Sequence, residues 1–521
     1  MSAAFSPSPT SRAEFVRSHL ARFWRTKSAA FATLVVLNLV YRWPAFLNAA
    51  GVHSDAAIVG LQAMHMLRGE VERSLWGVGY QGSFDAMVVA ALFAIFGPTP
   101  RALMAAPFLG HIVVCACAFD MLARRTRKPW VAALICLPLV FTPQAINGVV
   151  LYAPRQWCIA ALFVAMWLFE VGARWRPLRF FVGATAAWLA TYLDLYGMQI
   201  VVPLMGYMLL CAFDAAGPAR AVIARAASGA LGAALGAWVV RCLRADASAQ
   251  QADLSFTWEQ VQRNWQSFWE TCLPWVLGAK TWVPGPNLYP DPWVPPDAVR
   301  AFQAVGAASL VLLMAAAPLL VFVRRIDWPL KRLGLFGAAG AAASVGGFLV
   351  SHMPSDMWSA RYLAPVVWLA PFALAPWTAL LDKRALAVLL APYLVTAALG
   401  GWKSYGPYVD GALPRMAARG SAQQEMKLGE ALRAKGVEAA HAQYWLAYRL
   451  TFLWRENPIV MPLSDDRYPK YRQQTAGAKV VAFIFHPSEP RAVPEQVLPS
   501  LTTGTVERLD IEGFTVLLQR R

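Results

Sequence analysis

The chain has 521 residues, 47 Lys and Arg against 30 Asp and Glu for a net charge of +17, and 58% hydrophobic residues with only 15% charged. Soluble domains carry roughly 25% charged residues, so an ordinary soluble enzyme is excluded, and a mean hydropathy of +0.42 with 22 Trp points to a polytopic membrane protein. The basic excess then reports topology rather than a nucleic-acid partner, and the seven cysteines, scattered through apolar stretches, suggest neither a disulfide framework nor a CxxC metal site.

In chain order, Arg12, Arg17, Arg22, Arg25 and Lys27 precede the apolar stretch 28–48, which lacks a small-residue cleavage site. It reads as an uncleaved first span with its N-terminus in the cytoplasm. Further apolar segments lie at 101–122, 130–147, 156–173, 180–193, 197–213, 225–243, 301–323, 333–351, 362–381 and 385–400, for eleven expected crossings. Basic clusters at 124–128, 174–179, 220–225, 324–332 and 383–384 all fall on the cytoplasmic side only if the segment from Asp85 to Gly97 does not cross. That segment is short for a span and reads as a re-entrant or juxtamembrane helix. Backbone in lipid must satisfy its own hydrogen bonds, so the expected fold is an all-α polytopic membrane bundle.

Three sizeable pieces are left on the non-cytoplasmic side: a first loop over about 49–100, a Trp/Pro-rich loop 244–300, and a much less apolar tail 401–521. In the tail, 421–435 and 444–454 have helical character, and strand-like runs occupy 458–463, 479–485 and 505–519, predicting a small α/β domain outside the membrane. The expected division is a transmembrane module over 1–400 and a separate domain over 401–521.

The strongest local signal for chemistry is His53-Ser54-Asp55-Ala56-Ala57-Ile58-Val59-Gly60, directly after the first span, followed by Tyr80-Gln81-Gly82-Ser83-Phe84-Asp85. A carboxylate in partly desolvated surroundings can act as a base; Ser54 or Asp55 could equally do no more than cap a helix over 56–68. Asp194 sits where two short apolar segments meet, either functional at membrane depth or simply ending a helix. In the 244–300 loop, Trp258, Trp265 and Trp269 fall at helical spacing, so this face either lies on the bilayer or roofs a cavity in which Trp269 stacks on substrate. His53 and His352 could join Asp55 or Asp85 around a divalent ion, but no dense ligand spacing supports a metal site.

A span followed by S-D-A-A-I-V-G, then Y-x-G-S-x-(D/E), then Phe96-Gly97-Pro98-Thr99, resembles the first luminal loop of the GT-C glycosyltransferases. The similarity is to the branch containing protein O-mannosyltransferases (family 39) and the lipid A aminoarabinose transferases. It continues in Ser359-Ala360-Arg361-Tyr362-Leu363-Ala364-Pro365 and, in the tail, in the stretch from Ala442 to Phe452 and in Asp466-Arg467-Tyr468-Pro469. The resemblance implies Asp55 as catalytic base and Asp85 as the second acidic position of the catalytic site, associated with acceptor or metal contacts in some members. Asp55-Ala56 stands where many relatives have paired acids, which weakens the case for a metal. For the tail motif itself, a helix packing its aromatics on an α/β core is the preferred reading.

What the resemblance implies about the reaction is a sugar moved, with inversion, from a polyprenyl-phosphate donor to an acceptor hydroxyl on a lipid, glycan or protein. It would occur at the periplasmic face of a bacterial inner membrane. The phosphate leaves as a stabilised anion, so one carboxylate can suffice to deprotonate the acceptor, and a guanidinium can hold the phosphate. Arg361 is the first candidate and Arg155 the second, although arginines at span ends also snorkel to headgroups; Tyr80, Asp194, Tyr362 and Trp269 are candidate substrate contacts. No cofactor is expected with certainty. Two rival readings stay open: a polytopic transporter or lipid flippase, and a catalytically silent subunit of the same superfamily.

Overall fold

The computed structural model describes residues 9–47, 52–171, 175–213, 218–244, 257–283, 291–352, 354, 357–405, 422–486, 493–501 and 503–521. Among them, eight helices are long and apolar enough to cross a membrane: Arg25–Phe46, Pro100–Thr126, Leu195–Phe213, Ala219–Arg244, Asp297–Phe322, Trp328–Val350, Met357–Ala379 and Lys383–Gly401. These coincide with eight of the eleven segments read from hydropathy, and the chain is a multi-pass membrane protein. Two of the others are the shorter helices Gln156–Glu170 and Arg176–Leu193. Residues 85–97 form the helix Phe84–Phe96, whose 13 residues reach only about 20 Å at 1.5 Å per residue, short of the ~30 Å hydrocarbon core.

The apolar segment expected to cross over 130–147 is broken in the middle. Pro129–Val140 and Gln144–Leu151 are separate helices bent by 91°. Pro143 offers no backbone donor at the break, and the carbonyls left over are met by neighbouring side chains. Arg42 Nη1 donates to the Val140 carbonyl at 2.9 Å, and the Tyr41 hydroxyl donates to the Thr142 carbonyl at 2.8 Å. The buried Arg42 guanidinium thus sits at a helix C-terminus, where a cation is favoured, and also binds Asn38 Oδ1 at 2.7 Å and Thr142 Oγ1 at 2.9 Å.

The strands in chain order are β1 Ser74–Leu75, β2 Val78–Gly82, β3 Trp282–Val283, β4 Asp291–Pro292, β5 Ala439–Ala442, β6 Ile459–Pro462, β7 Val480–Phe485, β8 Thr505–Ile511 and β9 Phe514–Arg520, and the last five form a C-terminal sheet in the order β6-β5-β7-β9-β8. β5 runs parallel to β6 and β7, while β9 is antiparallel to β7 and β8. The strand-like run at 505–519 is therefore a hairpin, turned by Glu512 and Gly513 at φ 51° and 84°, and β5 was not anticipated because Ala-Ala-His-Ala has weak strand propensity. Helices Ala422–Ala434 and Tyr444–Leu453 occupy the two predicted helical stretches.

Residues alternate across this sheet. Ala440, Val460, Ala482, Ile484, Val516 and Leu518 face a core completed by Leu428, Leu432 and Leu450. Ala439, Met461, Val481, Phe483, Phe485 and Leu517 belong instead to a cluster shared with the first loop, including Ala56, Val59, Leu75, Trp76, Val89 and Leu103. Gly60 lets helix Ser54–Leu67 approach helix Tyr444–Leu453, because a Cβ there would meet the Phe452 ring.

Polar contacts fix the register of this joint. The strands β1 Ser74–Leu75 and β2 Val78–Gly82 form a hairpin in the first loop, and Trp76 at its turn stacks on Tyr468 with centroids 3.7 Å apart. His65 Nε2 lies 2.6 Å from Glu456 Oε1 and its Nδ1 2.9 Å from Glu70 Oε2, while Arg68 and the Tyr471 hydroxyl also bind Glu456 at 2.7 and 2.6 Å. Burial lowers the His65 pKa, but its bonds to Glu456 and Glu70 outweigh this and raise it. Glu456, pushed up by burial and pulled down more strongly by His65, Tyr471 and Arg68, rests at about 2. A raised histidine pKa gives stability that is complete below the unfolded value of about 6.5 and lost as pH rises through the folded one. The melting temperature of the purified protein is therefore expected to fall across that window, and His65→Gln is expected to remove this pH dependence. Thermal unfolding of both proteins from pH 6 upward checks it, and identical profiles would disprove the assignment.

Candidate active site

His53 holds an extended backbone at φ −85° and ψ 160°, and its Nδ1 accepts from the Ala56 amide at 3.3 Å. It is His53, not Ser54 or Asp55, that caps helix Ser54–Leu67. Both of those side chains are released for other contacts: Ser54 Oγ donates to the Tyr444 carbonyl at 2.6 Å, and Asp55 Oδ1 accepts from the Tyr444 hydroxyl at 2.7 Å. Burial alone would raise the Asp55 pKa, but His53, the Tyr444 hydrogen bond, Arg361 and Arg467 together bring it below the ordinary carboxylate value. Asp55 is therefore ionised in all but strongly acid conditions, the form that can accept a proton.

A second group forms around Asp194. Its backbone ends helix Arg176–Leu193 and bridges Gln81 in β2, so the helix-terminating reading holds. The side chain does more: Oδ2 accepts from Gln81 Nε2 at 2.7 Å and Arg155 Nε at 2.8 Å, and Oδ1 from the Tyr196 amide at 2.8 Å. Arg155 carries φ 121° and ψ −33°, a backbone that non-glycine residues rarely adopt and that costs on the order of 1–3 kcal/mol. Burial disfavours its charge, but Asp194 more than restores it and raises the pKa.

Asp85, in the first turn of helix Phe84–Phe96, is only 2% exposed, and neither carboxylate oxygen has a partner in normal hydrogen-bond geometry. Burial, and then the charge of Asp194, push its pKa up to about 7, with the nearby Arg155 amide and guanidinium offsetting part of the rise. Asp85 and Asp55 thus have opposite electrostatic settings.

Tyr362 joins the two groups. The Arg155 guanidinium carbon lies 5.4 Å from its ring centroid and that of Arg361 5.1 Å, both in cation–π range. The Tyr196 hydroxyl donates to the Arg361 carbonyl at 3.1 Å, and Arg155 also lies 5.3 Å from the Tyr196 ring. Arg361 Nε is buried without a hydrogen-bond partner, and no described carboxylate pairs with this guanidinium. Tyr80 lies among the same charges: burial raises its pKa, and Tyr362, Arg155, Asp194 and Arg467 all act on it.

The structure thus brings together Asp55, Asp85, Asp194, Arg155, Arg361, Tyr80 and Tyr362. It does not bring Trp269 to them. That side chain is 51% exposed and its ring partners are Trp265 and Phe268, while Trp258 and Trp265 are also exposed. The anticipated tryptophan stripe therefore points outward, and Pro284, Pro286 and Pro290 of the same loop lie outside the described residues. Among those residues no group of three or more His, Cys, Asp or Glu is placed to hold a metal ion.

Two residues of the site were missed. Tyr444 and Arg467 belong to stretches that stood out in the sequence, but nothing local indicates that they meet Asp55. The Arg467 guanidinium lies 5.7 Å from the Tyr444 ring centroid and its Nη1 donates to the Gly77 carbonyl at 3.0 Å. Helix Tyr444–Leu453 does pack on the sheet as expected, yet its first residue reaches across to the first loop.

Breaking one side of a buried ion pair costs about 3–5 kcal/mol. Asp194→Ala, which strands Arg155 beside Tyr362, is expected to lose stability of that order in chemical denaturation, and Asp194→Asn, which keeps acceptor capacity toward Tyr196, is expected to lose less. Equal losses would mean that the acceptor bond to Tyr196 adds little beside the charge pairing with Arg155.

No family model matches the sequence, and no curated protein matches it. Among solved structures, the chain is similar to ArnT from Cupriavidus metallidurans bound to undecaprenyl phosphate, with a TM-score of 0.59 and 12% identity over 94% of this chain and 97% of that one. ArnT from Cupriavidus metallidurans in the apo state gives a TM-score of 0.58 at 12% identity, covering 94% and 98%. The likeness is one of fold: this chain shares with that structure a membrane bundle with a small C-terminal sheet.

Proposed function

We propose that this chain is a membrane glycosyltransferase that moves a sugar from a polyprenyl-phosphate donor to an acceptor hydroxyl of a lipid, glycan or protein. The reaction takes place at the periplasmic face of a bacterial inner membrane, with the transmembrane module over 1–400 and the domain over 401–521 on that face. The observation that carries this reading is the meeting of an ionised carboxylate, Asp55, with Arg361, which forms no salt bridge among the described residues, at one end of an apolar bundle. A half-buried guanidinium with no carboxylate in ion-pair contact among the described residues is suited to an anion with oxygens to share. The solved relative bound to undecaprenyl phosphate supports a lipid phosphate as that anion.

In the proposed step the acceptor hydroxyl gives its proton to Asp55 as its oxygen bonds to the anomeric carbon. The bond from that carbon to the phosphate oxygen breaks, and the electron pair leaves with the phosphate. Attack opposite the leaving group inverts the anomeric centre. Arg361 and Arg155 hold the departing phosphate, with Arg155 oriented by Asp194 and both stacked on Tyr362. Asp85, titrating near neutrality, supplies a carboxyl that can donate a hydrogen bond to a sugar or acceptor oxygen, and Tyr80 and Tyr362 line the same space. Trp269 has no part in this proposal.

The test is sugar transfer from a labelled polyprenyl-phosphate donor pool in membranes containing the wild type, Asp55→Asn or Arg361→Gln. Loss of a general base lowers the rate by about 10²–10⁴, and loss of a group stabilising developing charge by about 10²–10³, so both variants are expected to fall at least a hundredfold. Full transfer by Asp55→Asn removes its role as base. Absence of transfer by the wild type, with protein-dependent movement of the lipid across vesicles, supports a flippase instead.

A further inference from the structure

We infer that Tyr444, carried by the C-terminal domain, is a positioning residue that fixes the orientation of the Asp55 carboxylate, so that this domain completes the catalytic site from outside the bundle. The inference rests on reading Asp55 as the base. A carboxylate has two equivalent oxygens and turns about its last torsion; a hydrogen bond to one of them ends that equivalence. Here Tyr444 binds Oδ1 at 2.7 Å, which leaves Oδ2 to receive the acceptor proton. The grip is double, because Ser54 Oγ holds the backbone carbonyl of the same tyrosine at 2.6 Å. Neighbouring residues at the start of one helix thus grasp both ends of Tyr444.

Tyr444 is itself held in place from its own side. The Arg467 guanidinium faces its ring, and the Arg467 amide donates at 2.6 Å to the hydroxyl of Tyr448, one helical turn after Tyr444. Tyr448 in turn lies 3.3 Å from Asp466 Oδ1. Helix Tyr444–Leu453 therefore aims one tyrosine at Asp55 and uses the next to seat the arginine that backs it, while Arg467 is tied to the first loop through the Gly77 carbonyl. A donor on the ionised form also holds the Asp55 pKa down, so losing it has a predictable sign: the pKa rises, and activity is lost at a higher pH.

The experiment is the pH profile of kcat/KM for transfer by the full chain in vesicles, comparing the wild type, Tyr444→Phe, Arg467→Gln and Asp55→Asn. Tyr444→Phe keeps the ring and removes the donor. Its acid limb is expected to move up by about one pH unit, the scale of one hydrogen bond to a charged group, with KM for the donor unchanged and most of kcat recovered at high pH. Arg467→Gln is expected to shift in the same direction, and it decides the matter if Tyr444→Phe fails to insert. An unmoved acid limb beside an inactive Asp55→Asn overturns the positioning role and leaves the base standing. Full activity in Asp55→Asn removes the base and this role with it.

Discussion

One face of the C-terminal sheet buries itself against the first loop, and the site exists only where those two parts of the chain share a core. Met461, Val481, Phe483, Phe485 and Leu517 meet Trp76, Val59, Val89 and Leu103 in one apolar cluster. Fully burying a side chain of this size contributes about 1.5–3 kcal/mol, while an exposed ion pair such as Lys470–Glu72 contributes about 0–1 kcal/mol. Apolar burial therefore supplies the adhesion. The polar contacts around His65, Glu456 and Tyr471 decide the register in which the surfaces meet, and that register delivers Tyr444 to Asp55.

Buried carboxylates in the helical bundle differ in how fully their oxygens are satisfied. Glu170 is saturated by Arg332 at 2.6 Å, by Arg125 at 2.7 Å and by the Tyr207 hydroxyl, which ties several helices together and leaves nothing for a ligand. Around Asp194 and Arg155 the satisfaction is incomplete: Asp85 has two oxygens without a partner in normal hydrogen-bond geometry. A buried polar atom without a partner carries a desolvation cost of about 1–3 kcal/mol, and its persistence beside a strained Arg155 backbone is what a binding site presents before its ligand arrives.

The electrostatic division between the two acids follows from their neighbours rather than their depth. Asp55 has a phenolic donor and cationic residues around it, while Asp85 faces another carboxylate and has no good donor. Two aspartates 30 positions apart in one loop can therefore differ in protonation near neutral pH, the separation of roles that acid–base chemistry on one substrate requires.

Much of this was legible in the sequence. Apolar length alone marked the spans, because a segment that must satisfy its own backbone in lipid has no other form to take, and the departure from turn to apolar helix after His53 marked the first-loop helix. The tail's helices and most of its strands were likewise set by local propensity. Tertiary structure alone decided that the 130–147 segment bends where Arg42 and Tyr41 can donate to its loose carbonyls, that His53 takes the cap and frees Asp55, and that Trp269 faces outward. It also decided that Tyr444 reaches Asp55 across 389 positions. Hydropathy and capping are properties of neighbours along the chain; a hydrogen bond between two surfaces exists only once the core between them has closed.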